Sequence, residues 1–124
     1  MLYLPPCLGA LSALAARENP RYAVSCLRVF EYAEDRYRIE ATDGRRLLIV
    51  RGQGGCDAPF GEPLDSPAHE GLVPAESWRD GFKKLFKKRP GREPFPVGLS
   101  MNAARFRFSN PSEEINGEQP TEAD

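Results

Sequence analysis

YAVSCLRVFEYAEDRYRIEATDGRRLLIVR, residues 22–51, is rich in Val, Ile, Tyr and Phe. Such residues suit a pleated, half-buried surface, and the run predicts two strands, 22–32 and 37–51, joined by a hairpin over 33–36. Thr42-Asp43-Gly44 interrupts the second strand. Glycine inside a strand pattern predicts a bulge or sharp bend, after which residues 47–50 resume as a continuous apolar run.

The flanks supply helices. Leu2–Leu4 reads as the end of a strand, and Pro5-Pro6 opens a predicted helix over 8–17, since proline suits the first helical turn. Leu8, Leu11, Leu14 and Ala15 make its apolar face, and Asn19-Pro20 ends it. Residues 1–16 are apolar but carry no basic leader and are broken by the two prolines, so they read as structure, not as a targeting segment. Residues 52–71 form a Gly/Pro-rich loop of twenty residues, long enough to be functional or mobile. A second helix is predicted over 75–88, between Pro74 and Pro90-Gly91. A strand pair follows at 97–101 and 105–108, turning at 102–104. Residues 111–124 hold five acids and no base and read as a disordered acidic tail, leaving 1–110 as the folded domain. No internal repeat is visible in the sequence.

Composition narrows the function. At 124 residues the chain makes one domain, and 17 basic against 18 acidic residues leave a net charge of −1. That excludes a protein basic all over that binds nucleic acid by net charge. With 28% charged residues, no apolar stretch is long enough to cross a membrane. Cys7, Cys26, Cys56 and the single His69 have no zinc-ligand spacing and form no C-x-x-C pair. Free thiols in a reducing cytoplasm are expected, with neither metal nor cofactor. No catalytic constellation is visible. His69 has no evident partner, Asp43 suits a turn, Ser25 and Ser77 lack a nucleophile's neighbours, and residues 52–55 lack the Lys-Ser/Thr of a phosphate loop. The chain is expected not to be an enzyme.

Charge is uneven along the chain. Residues 79–92 carry seven bases against one acid, Asp80. On a helical wheel Trp78, Phe82, Leu85 and Phe86 share one arc, and Lys83, Lys84 and Lys87 take the opposite one. The aromatic side is expected to dock on a sheet, leaving the lysines to solvent or a polyanion.

The segment Ala41-Thr42-Asp43-Gly44-Arg45-Arg46-Leu47 resembles the A-T-D-G-x-R-L motif of the bacterial sliding clamp, the beta subunit of the replicative DNA polymerase. The likeness is to the clamp's middle domain. It extends in order and spacing over about residues 3–110 through Leu4-Pro5, Arg21-Tyr22, Leu72-Val73-Pro74 and Ser100-Met101-Asn102. The resemblance implies an α+β, DNA-clamp-like domain with two helices on one side of a curved antiparallel sheet. In clamps, three such domains per subunit and two subunits close a ring on duplex DNA, helices inward; this chain has length for one.

Two sites are carried over. Val24, Thr42, Gly44, Arg45, Arg46 and Leu47 would line part of a pocket for short peptides of replication or repair proteins. The family usually has His at the position of Arg45. The alternative for this stretch is a strand bulge in which Thr42 and Asp43 bond their own backbone. Arg79, Lys83, Lys84, Lys87 and Lys88 would face duplex DNA through contacts that carry no sequence information. The leading expectation is a cytoplasmic, non-enzymatic protein-binding module linked to DNA replication or repair. The alternatives are a minimal DNA-associated clamp assembled as a homo-oligomer of single domains, or a diverged structural domain that binds neither DNA nor peptide.

Overall fold

The computed structural model describes residues 1–15, 26–43 and 45–120. Along them run β1 (Leu2–Leu4), a 3-10 helix (Pro6–Leu14), β2 (Cys26–Ala33), β3 (Arg36–Thr42), β4 (Leu47–Gln53), β5 (Glu70–Pro74), α1 (Ala75–Leu85), β6 (Val97–Met101), β7 (Arg105–Ser109) and β8 (Glu114–Glu118). The fold is α+β, with two helical segments and two antiparallel four-stranded sheets, ordered β1-β6-β7-β8 and β4-β3-β2-β5.

The element order is one pattern used twice: a strand, a helical segment, then a three-stranded meander. The first strand of each half leaves its own meander and joins the other, β1 on β6 and β5 on β2. The halves agree in detail. Pro5 caps the 3-10 helix at φ −58°, ψ 140°, and Pro74 caps α1 at φ −57°, ψ 141°. The second reversal of each meander spans four residues, closing on Thr42↔Leu47 in one half and Ser109↔Glu114 in the other. Each is held by an Asx side chain. Asp43 Oδ1 accepts from the Arg45 and Arg46 amides at 2.9 and 3.0 Å. Asn110 Oδ1 accepts from the Ser112 and Glu113 amides, both at 2.8 Å. This repeat is invisible in the sequence because it rests on two prolines and two capping oxygens, not on shared side chains.

The core lies between the helical layer and the inner faces of both sheets. α1 packs on the 3-10 helix and touches β2, β5, β7 and β8, while the 3-10 helix touches β2 and β3. Trp78 is fully buried, stacked on Phe82 at 4.9 Å and edge-on to Phe108 at 5.8 Å. Its indole N–H donates to the Leu8 carbonyl at 2.8 Å, tying α1 to the 3-10 helix. Gly9 permits this approach, since a Cβ there would lie 2.9 Å from Phe82 Cβ. The outer face of the first sheet is covered by the chain between β4 and β5. Tyr3 Oη donates to the Phe60 carbonyl at 2.8 Å, the Leu64 amide donates to Ser100 Oγ at 2.9 Å, and Arg107 Nη1 donates to the Glu62 carbonyl at 3.0 Å.

Several expectations change. Residues 37–51 are not one bulged strand but two, β3 and β4, because Asp43 completes a chain reversal. The strands divide between two sheets and do not form one. The first helix is 3-10 and ends at Leu14. Pro5 and Pro6 offer no N–H, and the Leu8 amide bonds three residues back to Pro5 O at 3.0 Å. The predicted end of that helix, at Arg17, lies outside the described residues. α1 ends at Leu85, not at Lys88. Phe86 turns extended at ψ 124° and is 45% exposed, while the Leu85 carbonyl accepts from Asn110 Nδ2 at 3.1 Å. Lys87 therefore leaves the helical wheel, and Lys88 lies beyond the helix. Residues 114–118 are a strand on the edge of β7, not a disordered tail, with Ile115 packed against the core. The expected hairpin at 33–36 and the strand pair around 102–104 are present, as is β1.

Trp78→Ala should cost about 3–5 kcal/mol, as expected for a buried aromatic. Trp78→Phe keeps most of the ring but removes the indole bond to the Leu8 carbonyl, and should cost about 1–3 kcal/mol. Urea midpoints at unchanged m-value check both. A Trp78→Phe variant as stable as the parent would show that the indole bond contributes nothing.

Candidate functional site

The A-T-D-G-x-R-L segment is a hairpin tip with an edge strand running from it. Asp43 organises the tip. Besides the two amides, its Oδ2 accepts from Arg46 Nε at 2.9 Å. The amide of Arg45, then the Arg46 side chain and amide, hold its carboxyl at a pKa of about 2, against an ordinary 3.8. Thr42 Oγ1 donates to the Arg46 carbonyl at 2.8 Å and closes the loop from its other side. The bonding of Thr42 and Asp43 to local backbone is therefore present, as part of a reversal and not of a bulge. Thr42, Arg45, Arg46 and Leu47 come together here, whereas Val24 and Gly44 lie outside the described residues.

Beyond the tip, among the described residues β4 pairs only with β3 and forms the edge of its sheet. It presents Leu47 at 59%, Leu48 at 36% and Ile49 at 41% exposure. The register splits them between the two faces. Leu47 and Ile49 sit opposite Thr42 and Glu40, on the face away from the helices, and Leu48 sits opposite the buried Ala41. Leu48 and Ile49 were not among the residues expected at the site. A continuous apolar run reads as a strand buried on both faces, and only the topology puts this one at an edge. On the outer face beside it, the Arg38 guanidinium lies 4.3 Å over the Phe30 ring.

The basic residues form a second cluster. Lys83 and Lys84 are exposed in the last turn of α1, opposite buried Trp78, Phe82 and Leu85. Arg79 donates from Nε to Asp80 at 3.1 Å. Lys87 donates to Ser112 Oγ at 2.6 Å, and Lys88 is exposed on the connection that follows. Lys87 is thus held against the β7–β8 turn, not displayed on the helix.

The groups that would signal catalysis or a metal stay dispersed. His69 Nδ1 lies 4.0 Å from Glu31 Oε1 on an exposed side chain, and Cys7, Cys26 and Cys56 are free thiols. Among the described residues no group of three or more His, Cys, Asp or Glu is placed to hold a metal ion. Among them, too, no helix is long and apolar enough to cross a membrane. Comparison with protein-family models finds no match, and comparison with curated proteins finds none.

The low pKa of Asp43 gives the tip a pH signature. A carboxyl depressed by its hydrogen bonds stabilises the loop fully above its unfolded value. That contribution declines as pH falls from about 4 through about 2. The amide signals of Arg45 and Arg46 should titrate with a midpoint near 2, and the Asp43→Asn variant should lose that titration. A midpoint at 3.8 would contradict this account of the turn.

Proposed function

We propose that this chain is a non-enzymatic, clamp-like binding domain that docks short extended peptides of replication or repair proteins on the β4 edge and its hairpin tip. The observation that carries the reading is the exposure of Leu47, Leu48 and Ile49 on an edge strand beside two arginines. An open edge offers unpaired backbone donors and acceptors to an added strand, and side chains on alternate positions give selectivity. Arg45 adds a cationic group at the end where a peptide's acidic residues would sit, while Asp43 and Thr42 hold the tip in one shape. The resemblance of residues 41–47 to the clamp motif gives the partner class. The α+β class of the fold, with helical segments on antiparallel sheets, is compatible with that resemblance.

A peptide carrying alternating apolar residues and an acidic end should bind weakly, at tens of micromolar or weaker, on the order of −6 kcal/mol. Its titration should shift the backbone amides of residues 42–49, and Leu47→Asp should abolish those shifts. No shift at millimolar peptide would remove this reading.

The exposure of Lys83, Lys84 and Lys88 favours a second reading, weak and sequence-independent association with duplex DNA. Replacing Lys83, Lys84, Lys87 and Lys88 by Ala should flatten the slope of log affinity against log salt by about 0.9 for each phosphate no longer neutralised. An unchanged slope would leave these lysines as a solvated surface.

A further inference from the structure

Arg89-Pro90-Gly91-Arg92-Glu93-Pro94-Phe95-Pro96, between α1 and β6, takes no part in either reading above. The stretch is a tight excursion. Gly91 turns it at φ +66°, the Arg92 amide donates to the Arg89 carbonyl at 3.3 Å, and the Phe95 amide donates to the Lys87 carbonyl at 3.0 Å. Phe95 anchors it to the body of the protein. Its ring meets Phe60 edge-on at 6.3 Å, and Phe60 in turn meets Tyr3 of β1 at 5.0 Å. Between this excursion, the start of the 3-10 helix and the chain leaving β4 lies a cavity of about 630 Å³.

The walls are apolar and poor in donors. Pro5, Pro6, Pro94 and Pro96 line the cavity without a backbone N–H, and their fixed φ angles hold it in one shape. Tyr3 and Phe86 add rings. The Tyr3 hydroxyl is already bonded to the Phe60 backbone, while Phe86 stands 45% exposed. Among the described residues, Arg89 is the one cation in the lining. Its guanidinium lies 4.6 Å over the Phe95 ring, and its Nε donates to the Glu93 carbonyl at 2.8 Å. The head group is thus held on two sides, and among the described residues its two Nη atoms meet no protein acceptor. A held guanidinium with its Nη donors to spare matches the two oxygens of a carboxylate.

We propose that this cavity binds a small aromatic monocarboxylate, with the carboxylate on the Arg89 Nη atoms and the ring against Phe86 and the prolines. The volume falls within the range of about 300–1,000 Å³ usual for small-ligand sites. Glu93 lines the same cavity and limits the charge it accepts: one acid beside one cation disfavours a dianion such as a phosphate monoester. The Glu93 side chain is exposed and screened by water, whereas Arg89 is half-buried, so a single negative charge is still attracted. Proline and aromatic carbon would leave the hydroxyls of a sugar without partners. The inference needs neither the β4 edge nor the lysines of α1.

Titration of the full chain with 3-phenylpropionate, followed by NMR, tests it. Saturable shifts are expected at Gly54, Gly55, Phe86 and the Arg89 side chain, with a Kd on the order of 1 mM for so small a ligand. The neutral counterpart, 3-phenylpropanamide, should bind about tenfold more weakly or worse, and inorganic phosphate should leave these signals unmoved. Arg89→Lys keeps the charge but not the planar fork, and should weaken 3-phenylpropionate by about tenfold. Glu93→Gln removes the neighbouring acid and keeps the carbonyl that holds Arg89, and should tighten binding by about two- to fivefold. Occupancy should also slow alkylation of Cys7, an exposed thiol in the same lining, by iodoacetamide. No saturable shift at about 20 mM overturns the proposal, since the site would then be at least twentyfold weaker than its chemistry predicts. So do equal affinities for acid and amide, shifts with phosphate, shifts confined to other residues, or a Glu93→Gln variant that binds no tighter. Trp78 fluorescence reports whether Arg89→Lys is folded; if it is not, the acid–amide comparison on the parent and the Glu93→Gln affinity decide.

Discussion

The bond from the Trp78 indole to the Leu8 carbonyl sits where the two halves of the chain meet. A buried indole N–H without a partner would cost on the order of 1–3 kcal/mol, so the ring is constrained to one orientation. In that orientation it stacks on Phe82 and meets Phe108 edge-on, and Phe108 in turn meets Phe106 at 5.6 Å. One side chain thus links the first helical segment, the second helical segment and the sheet beneath. The close approach of the helices needs Gly9, and the position of α1 needs the extended backbone of Pro74 just before it. These constraints together fix the layer on which both meanders rest.

The two halves solve the same geometric problem with different surfaces. A proline opens each helical segment, and an oxygen from Asp43 or Asn110 reverses each second hairpin. Local backbone chemistry therefore carries the repeat, leaving the exposed positions free to diverge. They have diverged in sign. The loop after β3 carries two arginines where the loop after β7 leads into glutamates.

The sequence was most legible where apolar periodicity and punctuation agreed. Val97–Met101 and Arg105–Ser109 flank Asn102, and Pro74 stands just before a helix whose Trp78, Phe82 and Leu85 are buried as expected. It was least legible where one signal served two structures. Thr42-Asp43-Gly44 fits a bulge or a reversal equally, until the Asp43 oxygen is seen to accept from two amides. β8 reads as disordered by composition, because an edge strand needs only one apolar residue, Ile115, turned toward the core. Of the candidate site, Thr42, Arg45, Arg46 and Leu47 were bound to lie together because they are contiguous. The extension to Leu48 and Ile49 depends on which strand ends the sheet, a non-local property that no spacing along the chain reports.

The treatment of the four sheet edges sets β4 apart. β5 is closed by Gln119, whose Oε1 accepts from the Leu72 amide at 2.8 Å. β1 is only three residues long, and Gly54 lies so close that a Cβ on it would run into the Tyr3 carbonyl. β8 is short and alternates exposed glutamates with its inward residues, a common guard against unwanted strand pairing. β4 has seven residues and meets solvent with Leu47, Leu48 and Ile49, and the arginines that flank them do not cover them. Exposed apolar edges invite pairing that natural sheets otherwise suppress. Among the described residues three edges follow that rule and one departs from it, beyond a hairpin tip held by a carboxylate. The proposed docking of a peptide on β4 draws on that departure: the adjoining turn is preset by its hydrogen bonds, and apolar side chains stand on both faces of the edge.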